Sequence, residues 1–223
     1  MTDDRYPAIA DYGLLSDCHC SALVSKQGSV DWCCMPCFDD DSSFGRLLDW
    51  DKGGHCSIAP AGPYTSERQY VAGTMILETY FRTEHGTVRL TDFLAMDTPE
   101  NPHYDLVRIV EGLAGEVEMR VQVCPRFDYG EIVPRMVRHG DSLYTAIGSN
   151  QGLLIRSDMP LDVAGHADLC SSVRLRAGQR ARLAVQFAFP ERIDCVISED
   201  GIRADELDRS LERNRQCWSI ELA

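Results

Sequence analysis

Three cysteines, a tryptophan and three consecutive aspartates lie close together in residues 28–44, which read GSVDWCCMPCFDDDSSF. Thiolates are zinc ligands, and Cys34 with Cys37 forms a C-x-x-C pair that Cys18 and Cys20 could complete to a set of four. The irregular spacing disfavours zinc, because a histidine separates the first two cysteines and a proline stands inside the second pair. A thioredoxin-like redox site is disfavoured too, since the flanking residues have strand and turn character.

The same stretch has residue types that suit a sugar site. Asp39, Asp40 and Asp41 stand beside Phe38 and near Trp32. A glycosidase needs two carboxyl groups roughly 5 to 10 Å apart across the scissile bond, and the sequence alone does not place two such groups here. The alternative is a solvated turn in which an aspartate side chain caps the start of residues 43–48. Both interpretations stay open at this point.

The composition is that of an ordinary globular protein, and it disfavours several functions. The 223 residues are 44% hydrophobic and 26% charged, and a net charge of −13 would repel a nucleic acid. The sequence contains no run of about 18 apolar residues, so no membrane span is predicted. The acidic N-terminus lacks the apolar core of a secretory signal. We therefore expect a cytoplasmic protein whose ten cysteines are mostly reduced. Without a P-loop, a dinucleotide fingerprint or a nucleophile elbow, we expect no cofactor.

The elements that position these residues are predicted to be β-strands. Residues 74–96 form two β-branched and aromatic runs around a turn at residues 84–86, which predicts a hairpin. Residues 116–123 alternate without a fault between apolar and polar side chains, as a half-solvated strand does. Residues 172–189 repeat the pattern around a turn at residues 177–179. Shorter candidates are residues 106–111, 143–147 and 153–155.

This pattern predicts an antiparallel all-β sandwich, since turn signals recur at short intervals and no helices alternate with the strands. The end of the chain differs. From about Ala204 the residues Leu207, Leu211 and Trp218 recur at spacings of four and seven, which predicts one helix with a narrow apolar stripe. Such a stripe needs a surface on which to pack.

The order of the segments resembles a known family. The run from YPAIADYGLLSDC through GSVDW, then GGHCSIAP, TMILETYF, GTVRLTDFLAM and PRFDYG, is similar to the N-terminal domain of bacterial glucoamylase- and trehalase-like enzymes, family fifteen of the glycoside hydrolases. The resemblance covers about residues 6–218. It implies an antiparallel β-supersandwich over residues 1–198 and, in residues 199–223, the start of a helical linker to an (α/α)₆ barrel. That barrel carries both catalytic carboxylates, so the resemblance implies no catalytic residue here and no activity for this chain alone.

The resemblance also implies roles for individual residues. In the family the first loop usually reads D-W-L-C-L-P-R-F-D-S, so Cys34 stands at a common cysteine position, whereas Cys33 and Cys37 are local substitutions. The loop is expected to face the barrel near its substrate pocket, with Trp32, Phe38 and Asp39 approaching a sugar or a barrel residue. The loss of the arginine at position 37 removes a bidentate contact that a thiol cannot replace.

The second loop, PRFDYG at residues 125–130, is expected to contribute Arg126, Asp128 and Tyr129 to the barrel contact. Its alternative interpretation is structural, with an ion pair between Arg126 and Asp128 that fixes the turn. Leu207, Leu211 and Trp218 would pack on the barrel or on the sandwich. The implied partner is the barrel of the same parent chain, through which trehalose or an α-glucan would bind.

Two rival hypotheses make no use of a barrel. In the first, the chain is a stand-alone carbohydrate-binding module that binds a glucan through Trp32, Trp50 or Tyr129. In the second, it is a metal-binding β protein that uses Cys18, Cys20, Cys34 and Cys37. The resemblance favours neither, and it implies no metal.

Overall fold

The computed structural model describes residues 5–96, 105–197 and 204–221, which form an antiparallel β-sandwich followed by two helices. The predicted all-β fold class is confirmed. None of the helices among these residues has the length and apolarity needed to cross a membrane. The strands are β1 (Tyr12–Ser16), β2 (Ser21–Ser25), β3 (Ser29–Cys34), β4 (Ser42–Phe44), β5 (His55–Pro60), β6 (Thr65–Tyr70), β7 (Leu77–Arg82), β8 (Gly86–Leu94), β9 (Asp105–Cys124), β10 (Arg135–His139), β11 (Leu143–Gly148), β12 (Gln151–Ser157), β13 (Asp162–Ala164), β14 (Asp168–Arg176) and β15 (Arg180–Phe187). The helices are α1 (Pro190–Ile197) and α2 (Ala204–Glu221), and short 3₁₀ turns span Ile9–Asp11 and Asp128–Gly130.

Two sheets share the long strand β9. Sheet A has the order β1-β2-β3-β5-β9-β14-β13, with β4 paired to β3, and sheet B has the order β6-β7-β8-β9-β15-β12-β11-β10. Every pairing is antiparallel. The first half of β9 pairs with β8 and β15, and the second half pairs with β5 and β14. The strand therefore passes from one sheet to the other at a bend around residues 112–115.

The prediction of two separate strands at residues 106–111 and 116–123 is wrong in one respect, because both belong to β9. The second half alternates as predicted, with Val117, Met119, Val121 and Val123 buried. Residues 106–110 are all buried, since one face of sheet B meets the sandwich core and the other is covered by α2. The bend contains two glycines, and in the sequence these indicated a turn between two separate strands.

Hydrophobic residues form two cores. The larger one fills the space between the sheets and includes Val30, Ile58, Leu90, Val121 and Leu183. The smaller one lies between the outer face of sheet B and helix α2, and its buried members are Ile76, Phe93, Ala95, Val107, Ile109, Ala184 and Leu207.

The apolar stripe of α2 packs on the sandwich in this structure. Leu207 is 8% exposed, and Leu211 packs against the smaller core. Trp218 lines an apolar groove with the turn at residues 70–75. The predicted helix start at Ala204 is confirmed, whereas the predicted domain boundary after residue 198 lies outside the described residues.

The other predicted strands are present. The hairpin of residues 74–96 corresponds to β7 and β8. The short candidates at residues 143–147 and 153–155 correspond to β11 and β12, which pair with each other. The turn at residues 177–179 separates β14 from β15. These two strands do not pair with each other, because β14 joins sheet A and β15 joins sheet B. Helix α1 was not predicted.

Candidate functional site

Four loops meet at one end of the sandwich. We call this region the loop end and define it as residues 17–20, 35–41, 125–134 and 148–151. Hydrogen bonds tie the loops together across the chain. They run from the Phe38 amide to the His19 carbonyl (3.0 Å), from the Tyr129 amide to Ser42 Oγ (3.0 Å) and from Gln151 Nε2 to Asp41 Oδ2 (3.2 Å).

The backbone of the loop end is strained. Four non-glycine residues of the described chain have positive φ: Cys18 (74°), Asp128 (50°), Tyr129 (57°) and Ser149 (54°). All four lie in the loop end. The left-handed conformation costs roughly 1–2 kcal/mol for a residue with a Cβ, and strain of this kind concentrates at functional sites. The loop end is therefore our candidate functional site.

The first two loops are held by their own side chains. The buried Asp17 carboxylate accepts hydrogen bonds from the amides of His19 (2.9 Å) and Cys20 (2.6 Å). Cys20 Sγ points inward and donates to the Cys34 carbonyl at 2.6 Å. In the next loop, Asp40 Oδ2 accepts from the Cys37 amide at 3.0 Å. The bonds to Asp17 and Asp40 are local, so these short polar side chains stabilise each turn from within, whereas the bond from Cys20 to Cys34 joins the two loops.

The predicted aspartate cap on residues 43–48 is wrong. Residues 42–44 form strand β4, and Asp40 and Asp41 are bonded to Cys37 and Gln151 instead. A strand presents no row of free amides to cap, whereas the turn before it does. Gln151 was missed by the sequence analysis, since it lies 110 residues from Asp41 in the chain.

An apolar row crosses the outer face of sheet A and reaches the loop end. Leu14 pairs with Leu23, and Leu23 pairs with Trp32, so the three side chains lie next to each other across β1, β2 and β3. The ring of Trp32 lies 6.1 Å from that of Tyr129. Tyr129 is 42% exposed and Phe38 is 68% exposed. A contiguous apolar surface of this kind marks an interaction site.

Arg126 does not pair with Asp128, so the predicted ion pair is wrong. Its Nη1 donates to Asp168 Oδ1 at 2.7 Å and to the Pro125 carbonyl at 2.7 Å. Asp168 begins β14, which pairs with the end of β9 and so brings its carboxylate beside the arginine. This partner is 42 residues away in sequence, and no local pattern indicates it. Asp128 is left half-buried in the left-handed turn.

A buried polar network lies behind the loop end. Asp31 accepts hydrogen bonds from Ser29 Oγ (2.6 Å) and the Tyr12 hydroxyl (3.0 Å), and burial raises the pKa of its carboxyl group. Arg46 Nη2 lies 2.8 Å from His55 Nε2, which must accept because a guanidinium can only donate. Burial, and then the charge of Arg46, lower the pKa of His55 to about 4. The imidazole is therefore neutral near pH 7.

Trp50 is not a free platform for a sugar ring. The guanidinium of Arg46 lies over its ring at 4.6 Å, and the ring of Tyr6 meets it edge-on at 5.3 Å. Of the three aromatic residues in the carbohydrate-module hypothesis, only Trp32 and Tyr129 come together.

The four cysteines of the zinc hypothesis are not assembled. In the described part of the chain, the one group of three potential ligands within reach of each other is Cys37, Asp39 and Asp40, and both aspartates are exposed. None of the nine described cysteines forms a disulfide. Burial raises the pKa of Cys34 to about 11, so its thiol is protonated near pH 7.

Known proteins are similar to this chain over part of its length. Residues 1–164 match the family model described as trehalase-like, N-terminal. A trehalase of Mycolicibacterium smegmatis is 35% identical over 168 residues, which are 61% of this chain and 25% of that protein. Trehalase 2 of Sulfolobus acidocaldarius is 35% identical over 151 residues, 66% of this chain and 24% of that protein. The chain thus spans about a quarter of the length of these relatives. A solved structure titled putative kojibiose phosphorylase from human microbiome gives a TM-score of 0.41 at 10% identity, covering 74% of this chain and 25% of that one, which is too low to establish a shared fold.

Proposed function

The chain belongs to the trehalase-like N-terminal family, and on this premise we propose that it is the non-catalytic N-terminal domain of an inverting α-glycoside hydrolase of the glucoamylase and trehalase type. The observation that carries the proposal is the loop end, where exposed aromatic side chains and strained backbone are brought together. Its partner is an (α/α)₆ barrel of the same parent chain, in the cytoplasm. The whole enzyme would act on trehalose or an α-glucan.

The loop end has the composition of a surface that another domain covers. Phe38, Tyr129 and Val133 are exposed there, and Trp32 is half-buried beside them. Permanent interfaces have apolar centres enriched in aromatic residues, with charged groups at the rim. Asp39, Asp128 and Arg126 fit that rim, and Phe38 with Asp39 would extend to the edge of the substrate pocket.

The chemistry of hydrolysis determines which roles belong to the barrel and which to this domain. An inverting glycosidase needs a general acid and a general base, about 6.5–9.5 Å apart on opposite sides of the bond. We assign neither role to this chain, and the barrel would supply both. The domain contributes by holding the barrel and by shaping the entrance to its pocket, so its substitutions should act on substrate binding and stability before they act on the chemical step.

The test uses the complete reading frame of the source gene. The full-length enzyme is expected to hydrolyse trehalose or maltodextrin with inversion at the anomeric carbon. Proton NMR of the released sugar measures this inversion. Residues 1–223 alone should hydrolyse neither substrate. Phe38→Ala and Trp32→Ala should raise KM more than they lower kcat. Leu113→Ala is the matched control, because Leu113 is 40% exposed but lies in the bend of β9, away from the loop end. A reading frame without a second domain, or activity from residues 1–223 alone, would refute the proposal.

A further inference from the structure

A polar trough runs along the outer face of sheet A, apart from the loop end. Its main depression has a volume of about 510 Å³ and is lined by the side chains of Glu118, Arg120, Gln122, Asp162 and Ser172, among others. Two smaller depressions, of about 340 and 280 Å³, also border Glu118 and continue toward His85. The trough therefore consists of three adjoining depressions along β9 and β14.

The residues next to Arg120 on the neighbouring strands have small side chains, which leave the centre of the trough uncovered. Arg120 on β9 has Ala59 and Ser172 as its cross-strand partners. Neither side chain is long enough to cover a guanidinium. Within residues 5–96, 105–197 and 204–221, the guanidinium of Arg120 makes no hydrogen bond and no ion pair. Other arginines of this face are paired, as Arg176 is with Glu116 at 2.6 Å.

The lining offers donors and acceptors in planar groups. Arg120 presents five N–H donors in one plane, and the exposed carboxylate of Asp162 presents two acceptor oxygens. Ser172 Oγ already donates to Glu118 Oε1 at 2.6 Å, which fixes one wall. Planar groups of this kind can make two parallel hydrogen bonds to neighbouring hydroxyl groups on one ligand.

The charges select the class of ligand. Glu118 and Asp162 flank Arg120 in the main depression, and Arg174 of the adjoining depression is already paired with Glu118 at 3.8 Å, so a phosphate or another anion would find one unpaired guanidinium beside two carboxylates. An apolar ligand would leave these polar groups without partners, at a cost of roughly 1–3 kcal/mol for each one buried. A neutral polyhydroxyl compound satisfies donors and acceptors alike.

From this lining we propose that the trough binds a neutral saccharide, at a site separate from the loop end. Because three depressions adjoin at Glu118, the trough fits a linear oligosaccharide better than a single sugar ring. Binding there holds a glucan chain on the domain and needs no reaction in this chain.

The test is an NMR titration of ¹⁵N-labelled residues 1–223 with maltoheptaose, and separately with trehalose. Amide shifts are expected at residues 118–122 and 170–172. Arg120→Ala and Asp162→Asn should each weaken binding by roughly tenfold or more. The matched control is Arg176→Ala, which removes an exposed arginine from the same sheet face outside the main depression.

Two outcomes would overturn the proposal. One is the absence of shifts with either sugar, and the other is a set of shifts confined to residues 35–41 and 125–134. The second would place sugar binding at the loop end and leave the proposed function intact. Circular dichroism of each variant separates a lost site from a lost fold, and an unaltered affinity of folded Arg120→Ala would also overturn the proposal.

Discussion

At the scale of single residues, one buried ion pair joins the two sheets. Arg108 and Asp92 are both fully buried on sheet B, with Nε 2.8 Å from Oδ1 and Nη2 3.2 Å from Oδ2. The guanidinium also donates to the carbonyl of Cys56 on β5 of sheet A at 2.5 Å and to that of Gly28, just before β3 of the same sheet, at 2.8 Å. Burying charges is costly, but here the partners satisfy each other and the carbonyls.

Removal of this arginine is expected to be severe. Arg108→Leu leaves a buried carboxylate without its counter-charge and two carbonyls without their donor, so we expect a loss of roughly 3–5 kcal/mol in the free energy of unfolding. Urea unfolding followed by tryptophan fluorescence measures it. Arg209→Ala is the control, since that arginine is exposed and pairs only within α2, and its effect should stay within about 0.5 kcal/mol. A loss below about 1 kcal/mol for Arg108→Leu would contradict this account.

His55 should make the stability depend on pH. Its pKa is about 4 in the folded protein, against 6.5 for the unfolded chain. A lowered histidine pKa means that the contribution is fully present above pH 6.5 and is lost as the pH falls from 6.5 to 4. At 1.36 kcal/mol for each pKa unit, the loss amounts to about 3 kcal/mol.

Comparison with His55→Gln isolates this effect, because a glutamine oxygen can still accept from Arg46 and does not titrate. The wild type should lose about 3 kcal/mol more than the variant between pH 7 and pH 4, as measured by urea unfolding at each pH. The carboxylates titrate in both proteins and cancel. Equal losses in the two proteins would show that His55 is not the titrating group.

At the scale of elements, helix α2 is anchored by three kinds of contact. Leu207 is buried in the smaller core, and Asn214 Nδ2 donates to the Leu94 carbonyl at 2.8 Å. Asp208 accepts two hydrogen bonds from Arg182 on β15, at 3.1 and 2.6 Å. The apolar stripe of α2 could be read from its spacing, whereas Arg182 could not be identified as a partner before the sheet was known.

Loss of the apolar anchor should free the helix. Leu207→Ala removes a buried side chain from between α2 and sheet B, so we expect a loss of roughly 2–4 kcal/mol and faster hydrogen exchange in residues 204–218. Mass spectrometry after exchange locates the change. In the control variant Leu113→Ala, an exposed leucine is truncated and α2 should keep its protection. Unchanged exchange in α2 of the Leu207→Ala protein would mean that the polar contacts suffice.

The elements differ in how well the sequence predicted them. The alternation of residues 116–123 identified a half-solvated strand, because one face meets the core and the other meets water. The early strands of sheet A gave no such signal, since Asp31 and His55 are polar and buried. In the candidate site, the aromatic residues were found through their motifs. Their arrangement was not, because the bonds that assemble the loops join residues up to 110 positions apart.

At the scale of the whole molecule, the positions of the different surfaces follow from the shared strand β9. Its bend at residues 112–115 and its last residue, Cys124, lie at opposite ends of its second half, so the loop end is separated from the bend by the length of that half. Helix α2 covers the outer face of sheet B, and the polar trough occupies part of the outer face of sheet A. The outer face of sheet B is thus already covered, the outer face of sheet A carries the polar trough on β9 and β14 and the apolar row on β1–β3, and the loop end is exposed and aromatic.

This division predicts how residues 1–223 behave in solution. If the loop end normally packs against another domain, the isolated chain exposes it, so the chain should bind a hydrophobic dye and self-associate. Phe38→Ser should reduce both, as measured by dye fluorescence and sedimentation velocity, because Phe38 is 68% exposed on that surface. Leu113→Ser removes an exposed apolar side chain from the bend and should change neither. A wild-type chain that is monomeric and binds no dye would argue against a covered loop end. Reduced association in the Leu113 variant alone would move the interface to the bend of β9.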